Sequence, residues 1–141
     1  MNLQFLTATA EDIPAIFSQA KDLIDTYEDL SSIDYDKVLA WVKRKIETHI
    51  SEYCRVTADG ETCAYYHLCE DGELDDLYVL PNFQKQGIGS EIMRKCIARS
   101  VNPLYLYVFS RNVRAIAFYK RFGFVVQKTV GDTRLIMGRN G

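Results

Sequence analysis

Residues 2–8, NLQFLTA, alternate apolar and polar side chains, the period of a strand with one buried face. The period then lengthens. Ile13, Ile16, Phe17, Ala20, Leu23 and Ile24 recur at helical spacing, and Thr9 with Asp12 forms a capping-box start in which Asp replaces the usual Glu. Residues 25–36, DTYEDLSSIDYD, lose the period and are acidic, which predicts a loop. Val38, Leu39, Trp41, Val42 and Ile46 restore it and predict a second helix, with Lys43, Arg44 and Lys45 as a solvated face. Two β-rich segments, residues 52–58 and 62–69, flank Asp59-Gly60, a hairpin turn signal. Asp71-Gly72 marks a further turn before residues 73–81, ELDDLYVLP.

Beyond the stretch QKQGIG (84–89), Ile92, Met93, Cys96 and Ile97 mark a helix. Residues 103–109, PLYLYVF, are nearly all apolar or aromatic and predict a central strand. Residues 111–123 read as a helix, including Ala117 and Phe118 on its buried side and Gly123 as its C-cap. Residues 124–130 and 133–139 read as two strands around Gly131-Asp132. The order β-α-α-β-β-β-α-β-α-β-β predicts one α/β domain over residues 1–141 with a mixed sheet. Strand–helix–strand passages at 73–109 and 103–126 predict locally parallel pairing.

Composition narrows the function classes. A chain of 141 residues with 48% apolar and 26% charged positions has the balance of a soluble globular domain. A net charge of −2 argues against nucleic acid as the main partner and against a polybasic membrane anchor. The first residues lack a basic, then apolar, leader, and no run approaches the roughly 18–20 apolar residues of a membrane span, so a cytoplasmic protein is expected. Cys54, Cys63, Cys69 and Cys96 form no CxxC pair, which predicts reduced thiols and no metal site.

The glycines of QKQGIG stand between a strand and a helix. Amides at a helix start have no internal partner, and the helix dipole adds partial positive charge there, which suits phosphate. Gly87 and Gly89 let an anion approach closely, and Gln84, Lys85 and Gln86 can add donors. The P-loop pattern fails, because Ser90-Glu91 follows Gly89. The Rossmann pattern fails, because position 92 is Ile.

With its preceding strand the stretch reads LYVLPNFQKQGIG (77–89) and resembles motif A of the GCN5-related N-acetyltransferases (GNAT), an L-x-V-x-P strand end followed by [QR]-x-x-G-x-[GA]. Asn112 and the run AIAFYKRFGF (115–124) resemble that family's motif B, in the same order and at a fitting separation. The resemblance implies a single GNAT-like domain with a mixed, mostly antiparallel sheet flanked by helices. It implies an acetyl-CoA-dependent N-acetyltransferase acting on a primary amine by direct attack in a ternary complex. Gln84, Lys85, Gln86, Gly87, Ile88, Gly89 and Ser90 would hold the pyrophosphate, and Leu77, Tyr78 and Val79 the pantetheine through their backbone. The Val79 amide would also face the thioester oxygen. Asn112 would either cap its helix or bond the cofactor, and Tyr119 would be the general acid.

The general base has several candidates. Glu73 sits where several family members place a glutamate, and Asp75 and Asp76 follow it. Strand alternation predicts that Glu73 and Asp75 share one face and that Asp76 lies on the other. Glu73 is the first candidate and Asp76 the second; His67 is a further one, or a structural histidine. The acidic segment with Asp25, Glu28, Asp29, Asp34 and Asp36 would either meet a cationic acceptor or remain solvated. A small-molecule acceptor is expected. The alternatives are a protein lysine or N-terminus as acceptor, or an acyl-CoA-binding regulatory module without turnover. The resemblance also implies a homodimer as one possible assembly.

Overall fold

The computed structural model describes residues 1–140. The elements are β1 (Leu3–Thr7), α1 (Ile13–Tyr27), α2 (Tyr35–His49), β2 (Cys54–Ala58), β3 (Glu61–Leu68), β4 (Leu74–Val79), α3 (Ile88–Arg99), β5 (Tyr105–Phe109), α4 (Val113–Arg121), β6 (Val125–Val130) and β7 (Arg134–Gly138). Their order is the one the hydrophobic pattern predicts. The acidic segment is less of a loop than expected. α1 continues to Tyr27, α2 begins at Tyr35, and a short 3-10 turn spans Leu30–Ser32. Local capping explains this: Asp34 accepts from the Lys37 amide at 3.2 Å, and Asp29 accepts from the Ser31 amide at 3.1 Å.

The strands form two antiparallel sheets, ordered β1-β2-β3-β4 and β5-β7-β6. β4 and β5 meet through a single parallel bridge between Glu73 and Tyr105. The expected parallel pairing across 103–126 does not occur, because β7 enters between β5 and β6 and pairs antiparallel with both. A tight turn at Gly131 folds β7 straight back on β6, the shortest connection available. The apolar 103–109 strand is central only in the sense that it stands at the join between the two sheets.

Each face of the joined sheets has its own core. On one side Ile88, Ile92, Met93 and Cys96 of α3 pack against Leu104, Leu106 and Val108, with Phe124 and Met137. On the other, Ile16, Ala20 and Ile24 of α1 and Val42 and Ile46 of α2 pack on Tyr65 and Tyr78. A fully buried isoleucine such as Ile16 or Ile46 stabilises by roughly 2–3 kcal/mol relative to an exposed one. α4 is the exception among the helices: none of its residues is fully buried, and Ala117 points to solvent rather than inward. Among the described residues no helix is long and apolar enough to cross a membrane.

Candidate active site

The amide of Tyr105 donates to the Gly72 carbonyl at 3.1 Å, and past that point β4 and β5 separate. β4 pairs only with β3 from there on, and β5 only with β7. Hydrogen-bond parity tells which groups face the gap. The Leu80 amide donates to the Cys63 carbonyl at 2.8 Å, so alternation along the antiparallel ladder turns the Tyr78 backbone toward Tyr65 and the Leu77 and Val79 backbones into the gap. On the opposite wall the Arg139 amide donates to Leu104 at 2.9 Å and the Ser110 amide to Thr133 at 2.8 Å, which leaves Tyr105, Tyr107 and Phe109 facing β4. Facing strand edges without ladder partners are a row of donors and acceptors for an extended ligand. The Tyr78 expectation needs correction: its backbone belongs to the β3 ladder, and its side chain is buried with its hydroxyl 2.6 Å from Asp76.

At the mouth of the gap α3 begins with no side-chain cap. Its first internal bond runs from the Glu91 amide to the Gly87 carbonyl, so the amides of Ile88, Gly89 and Ser90 have no helical partner. The two glycines differ in their surroundings. Gly87 has φ +82°, and a Cβ added there would meet nothing within 4 Å. At Gly89 an added Cβ would lie 3.5 Å from the Phe118 ring and 3.7 Å from Val79, ordinary van der Waals contact, so packing alone does not demand a glycine there. The glutamines brace the loop: Gln84 Nε2 donates to the Val79 carbonyl at 3.1 Å and Gln86 Nε2 to Asn82 at 3.3 Å. Lys85 is exposed in a left-handed conformation with φ 63°. A surface depression of about 390 Å³, lined by Leu3, Gln86, Gly87, Glu91 and Arg94 among others, borders the loop.

The carboxylates of β4 depart from simple alternation. The β3–β4 register shifts between His67 and Leu68, which makes Asp75 an extra, bulged residue. Asp76 therefore shares the α2 face with Asp75 instead of pointing away from it, and Lys45 of α2 reaches both, at 3.0 Å and 3.8 Å. Asp76 is buried and also accepts from the Tyr53 and Tyr78 hydroxyls. Asp75 is further held by His67 Nδ1 at 3.3 Å, and Asp71 accepts from the Tyr105 hydroxyl at 2.6 Å. The Glu73 amide donates to Asp71 at 2.9 Å, but the Glu73 carboxylate, alone among these acids, has no hydrogen-bond or ion-pair partner among the described residues. Burial, then the charges of Asp75 and Asp71, push its pKa above the ordinary glutamate value.

Tyr119 lies across the gap, packed with the α3-side core against Phe118 and Phe124 at ring distances of 5.5 Å and 5.7 Å. Its hydroxyl has no partner among the described residues. Burial, with a smaller contribution from the Asp76 charge, pushes its pKa up to about 12, so it is a proton donor at neutral pH. Asn112 caps α4, accepting from the Ala115 amide at 3.2 Å through Oδ1, and its NH2 group remains available.

The acidic segment mostly serves itself. Asp25 pairs with Lys21 at 2.7 Å and accepts from the Tyr35 hydroxyl at 2.6 Å. Glu28 and Asp29, with Asp132 and Arg134 of the β6–β7 turn, line a pocket of about 300 Å³. Tyr27 stacks on Phe109, joining this region to the β5 wall.

Lys45, Tyr53 and the bonded role of His67 are absent from the sequence-level candidates. Lys45 was legible in principle. Val42, Lys45, Ile46 and His49 stand at helical spacing on the buried stripe of α2, so Lys45 turns inward while Lys43 and Arg44 stay exposed. The bulge that brings Asp75 and Asp76 together has no mark in the hydrophobic pattern.

A gap beside parallel strand edges, an uncapped helix mouth next to it, and a carboxylate and a phenol on its opposite faces make a cleft suited to an extended ligand with an anionic end. The chain belongs to the acetyltransferase (GNAT) family, whose profile matches residues 9–124. As a member it is an N-acetyltransferase that uses acetyl-CoA. Among solved structures it is similar to the PaiA N-acetyltransferase from Thermoplasma acidophilum in complex with coenzyme A, at 20% identity over 100% of both chains with a TM-score of 0.70. An acetyltransferase from Thermus thermophilus matches at 23% identity over 99% of this chain and 97% of its own, with a TM-score of 0.73. Arabidopsis thaliana Naa50 in complex with the bisubstrate analogue CoA-Ac-MVNAL matches at 18% identity over 100% of both, with a TM-score of 0.63. At such identities the likeness is one of fold.

Proposed function

We propose that the protein acetylates the primary amine of a small, cationic acceptor by direct attack on acetyl-CoA threaded between β4 and β5. The carrying observation is the pair of unpaired strand edges that face each other beyond the Glu73–Tyr105 bridge. The coenzyme A bound to the PaiA relative supports the reading. The amides of Ile88, Gly89 and Ser90 would receive the pyrophosphate, with Lys85 adding charge, and the Leu77 and Val79 backbones would hold the pantetheine. When bound, acetyl-CoA supplies an activated thioester.

The chain's own groups then divide the chemistry. Glu73, its carboxylate free of partners and less acidic than an ordinary glutamate, takes the proton of the incoming ammonium. The Val79 amide donates to the acyl oxygen as negative charge develops on it. Tyr119 hydrogen-bonds to the departing sulfur. An ordinary thiol ionises near ~8.5, so complete transfer from a phenol near 12 runs uphill by roughly 5 kcal/mol. Tyr119 thus acts first as a hydrogen-bond donor to the thiolate, and water completes the protonation.

The α2 face of the gap supports a cationic acceptor. Glu73, Asp75 and Asp71 supply negative charge there, and Tyr107, 46% exposed on the β5 wall, supplies an aromatic face. The test is calorimetric titration with acetyl-CoA and with CoA, followed by a screen of amines for release of free thiol. Micromolar binding and turnover favouring diamines or polyamines over neutral amino compounds are expected. No binding at millimolar acetyl-CoA would overturn the reading.

A further inference from the structure

Acetylation of an ammonium group releases one proton per turnover, and the α2 face of β4 carries a line of groups from Glu73 to solvent. His67 is 3% exposed. Its Nδ1 lies 3.3 Å from Asp75 Oδ2, and its Nε2 lies 3.3 Å from Glu52 Oε1 and 3.7 Å from Cys69 Sγ. Cys69 Sγ is in turn within 4.8 Å of the Glu73 carboxylate. At the other end, Glu52 Oε2 is 2.6 Å from His49 Nδ1, and these two side chains are 53% and 44% exposed. The nitrogen that looks toward Glu73 is therefore the one that touches a solvent-exposed carboxylate.

We propose that His67 relays to Glu52, and so to water, the proton that Glu73 removes from the acceptor. The proposal rests on the acetyl-transfer reading above. The ammonium N–H bond breaks as a Glu73 O–H bond forms. The His67 Nε2–H bond breaks as Glu52 takes its proton, and Glu52 loses it to bulk water. The proton on Glu73 then passes through water beside Cys69 to the vacated Nε2, and Glu73 returns to the carboxylate. Nδ1–H stays with Asp75 throughout, so one nitrogen both receives and releases the proton and the ring needs no tautomer change. Every group used is an acid or base, and water is the only co-reactant.

The surroundings suit this role. His67 faces Asp75, Asp76 and Glu73 from β4 and its approach, Cys69 beyond its own strand, Glu52 and Tyr53 from the turn before β2, and His49 and Lys45 from α2. Burial disfavours the imidazolium, but Asp75 and Glu52 more than offset it and hold the ring's pKa above the ordinary histidine value. Burial and the nearby carboxylates push the Cys69 thiol up to about 12, so it stays protonated and does not compete. Stacking on Tyr53, at 4.6 Å between centroids, fixes the ring plane.

The test compares wild type, His67→Gln and Glu52→Gln by free-thiol release with acetyl-CoA and an accepted amine, in dilute buffer and then with rising imidazole. A proton-relay loss predicts kcat lowered about tenfold or more in His67→Gln. It also predicts an unchanged KM for acetyl-CoA and recovery of most of the loss with imidazole, which leaves wild type unaffected. Wild-type kcat in His67→Gln, or a loss that imidazole does not restore, overturns the relay. Should His67→Gln fail to fold, Glu52→Gln at the exposed end decides by the same buffer response. A wild type that releases no thiol with any amine overturns the parent reading; active wild type with unaffected variants overturns the relay alone.

Discussion

Gly72 and Tyr105 hold the closed end of the strand gap: the Tyr105 amide donates to the Gly72 carbonyl at 3.1 Å, and beyond this bond β4 and β5 share no ladder. Gly72 has φ +103°, and a Cβ there would lie 2.2 Å from the Pro103 carbonyl oxygen. Both the left-handed backbone and the contact with rigid backbone exclude a side chain. Gly72→Ala should destabilise the fold by about 2–4 kcal/mol. Urea unfolding measures this, and an unchanged midpoint would show that the junction tolerates a side chain.

The helix mouth can be tested without touching the core. Gly87 opens onto free space despite its positive φ, and Asp is among the residues that best tolerate such a conformation. Gly87→Asp should therefore fold, at a cost of about 1 kcal/mol, while placing a negative charge beside the α3 amides. Acetyl-CoA affinity should fall about tenfold or more, with the loss partly relieved by salt. Undiminished affinity by calorimetry would move the pyrophosphate elsewhere.

Tyr119→Phe separates chemistry from binding. The hydroxyl bonds to nothing among the described residues, so its loss should change stability by less than about 0.5 kcal/mol. Acetyl-CoA affinity should hold while kcat drops about 10–100-fold. With the phenol pushed up to about 12, no falling limb from Tyr119 should appear in the pH–rate profile below about pH 10, because the donor form persists there. Wild-type turnover in the variant would assign the sulfur to another donor.

Much of this architecture is legible in the sequence because it rests on local periodicity. The helical stripe of α1, the Asp59-Gly60 hairpin and the Gly87 turn are each dictated by a few neighbouring residues. Three things are not local. The insertion of β7 between β5 and β6 is a choice of strand order, to which alternation is blind. The bulge at Asp75 brings Asp76 onto the face predicted for Glu73 and Asp75 alone, through one unpaired residue. Tyr78 sits in the right motif, but only the ladder parity set by the Leu80–Cys63 bond reveals that its backbone is committed to β3. The family resemblance locates the site, and the register decides which atoms of it are free.

Lys45 offers the most demanding test, because it joins stability to catalysis. Its ammonium lies 3.0 Å from Asp75 and 3.8 Å from Asp76 and is 21% exposed. Lys45→Met should cost about 2–4 kcal/mol near neutral pH by stranding two adjacent carboxylates. Burial opposes the Asp75 carboxylate, but His67 and Lys45 outweigh it and hold its pKa below the ordinary aspartate value. That contribution is complete above the unfolded value near ~3.9 and lost as pH falls through the lower folded one. Burial likewise opposes the Lys45 ammonium, but Asp76 and Asp75 hold its pKa above the ordinary lysine value. Its contribution is complete below ~10.4 and lost as pH rises through the folded value. The stability difference between wild type and variant should therefore be flat at intermediate pH and shrink at both extremes. Lys45 also restrains Glu73, whose pKa burial, Asp75 and Asp71 together raise. Without the ammonium that rise grows, and the ascending limb of kcat/KM should move to higher pH. Urea titrations across pH, with pH–rate profiles of the same two proteins, check both halves; a limb that stays in place would remove Glu73 as the base.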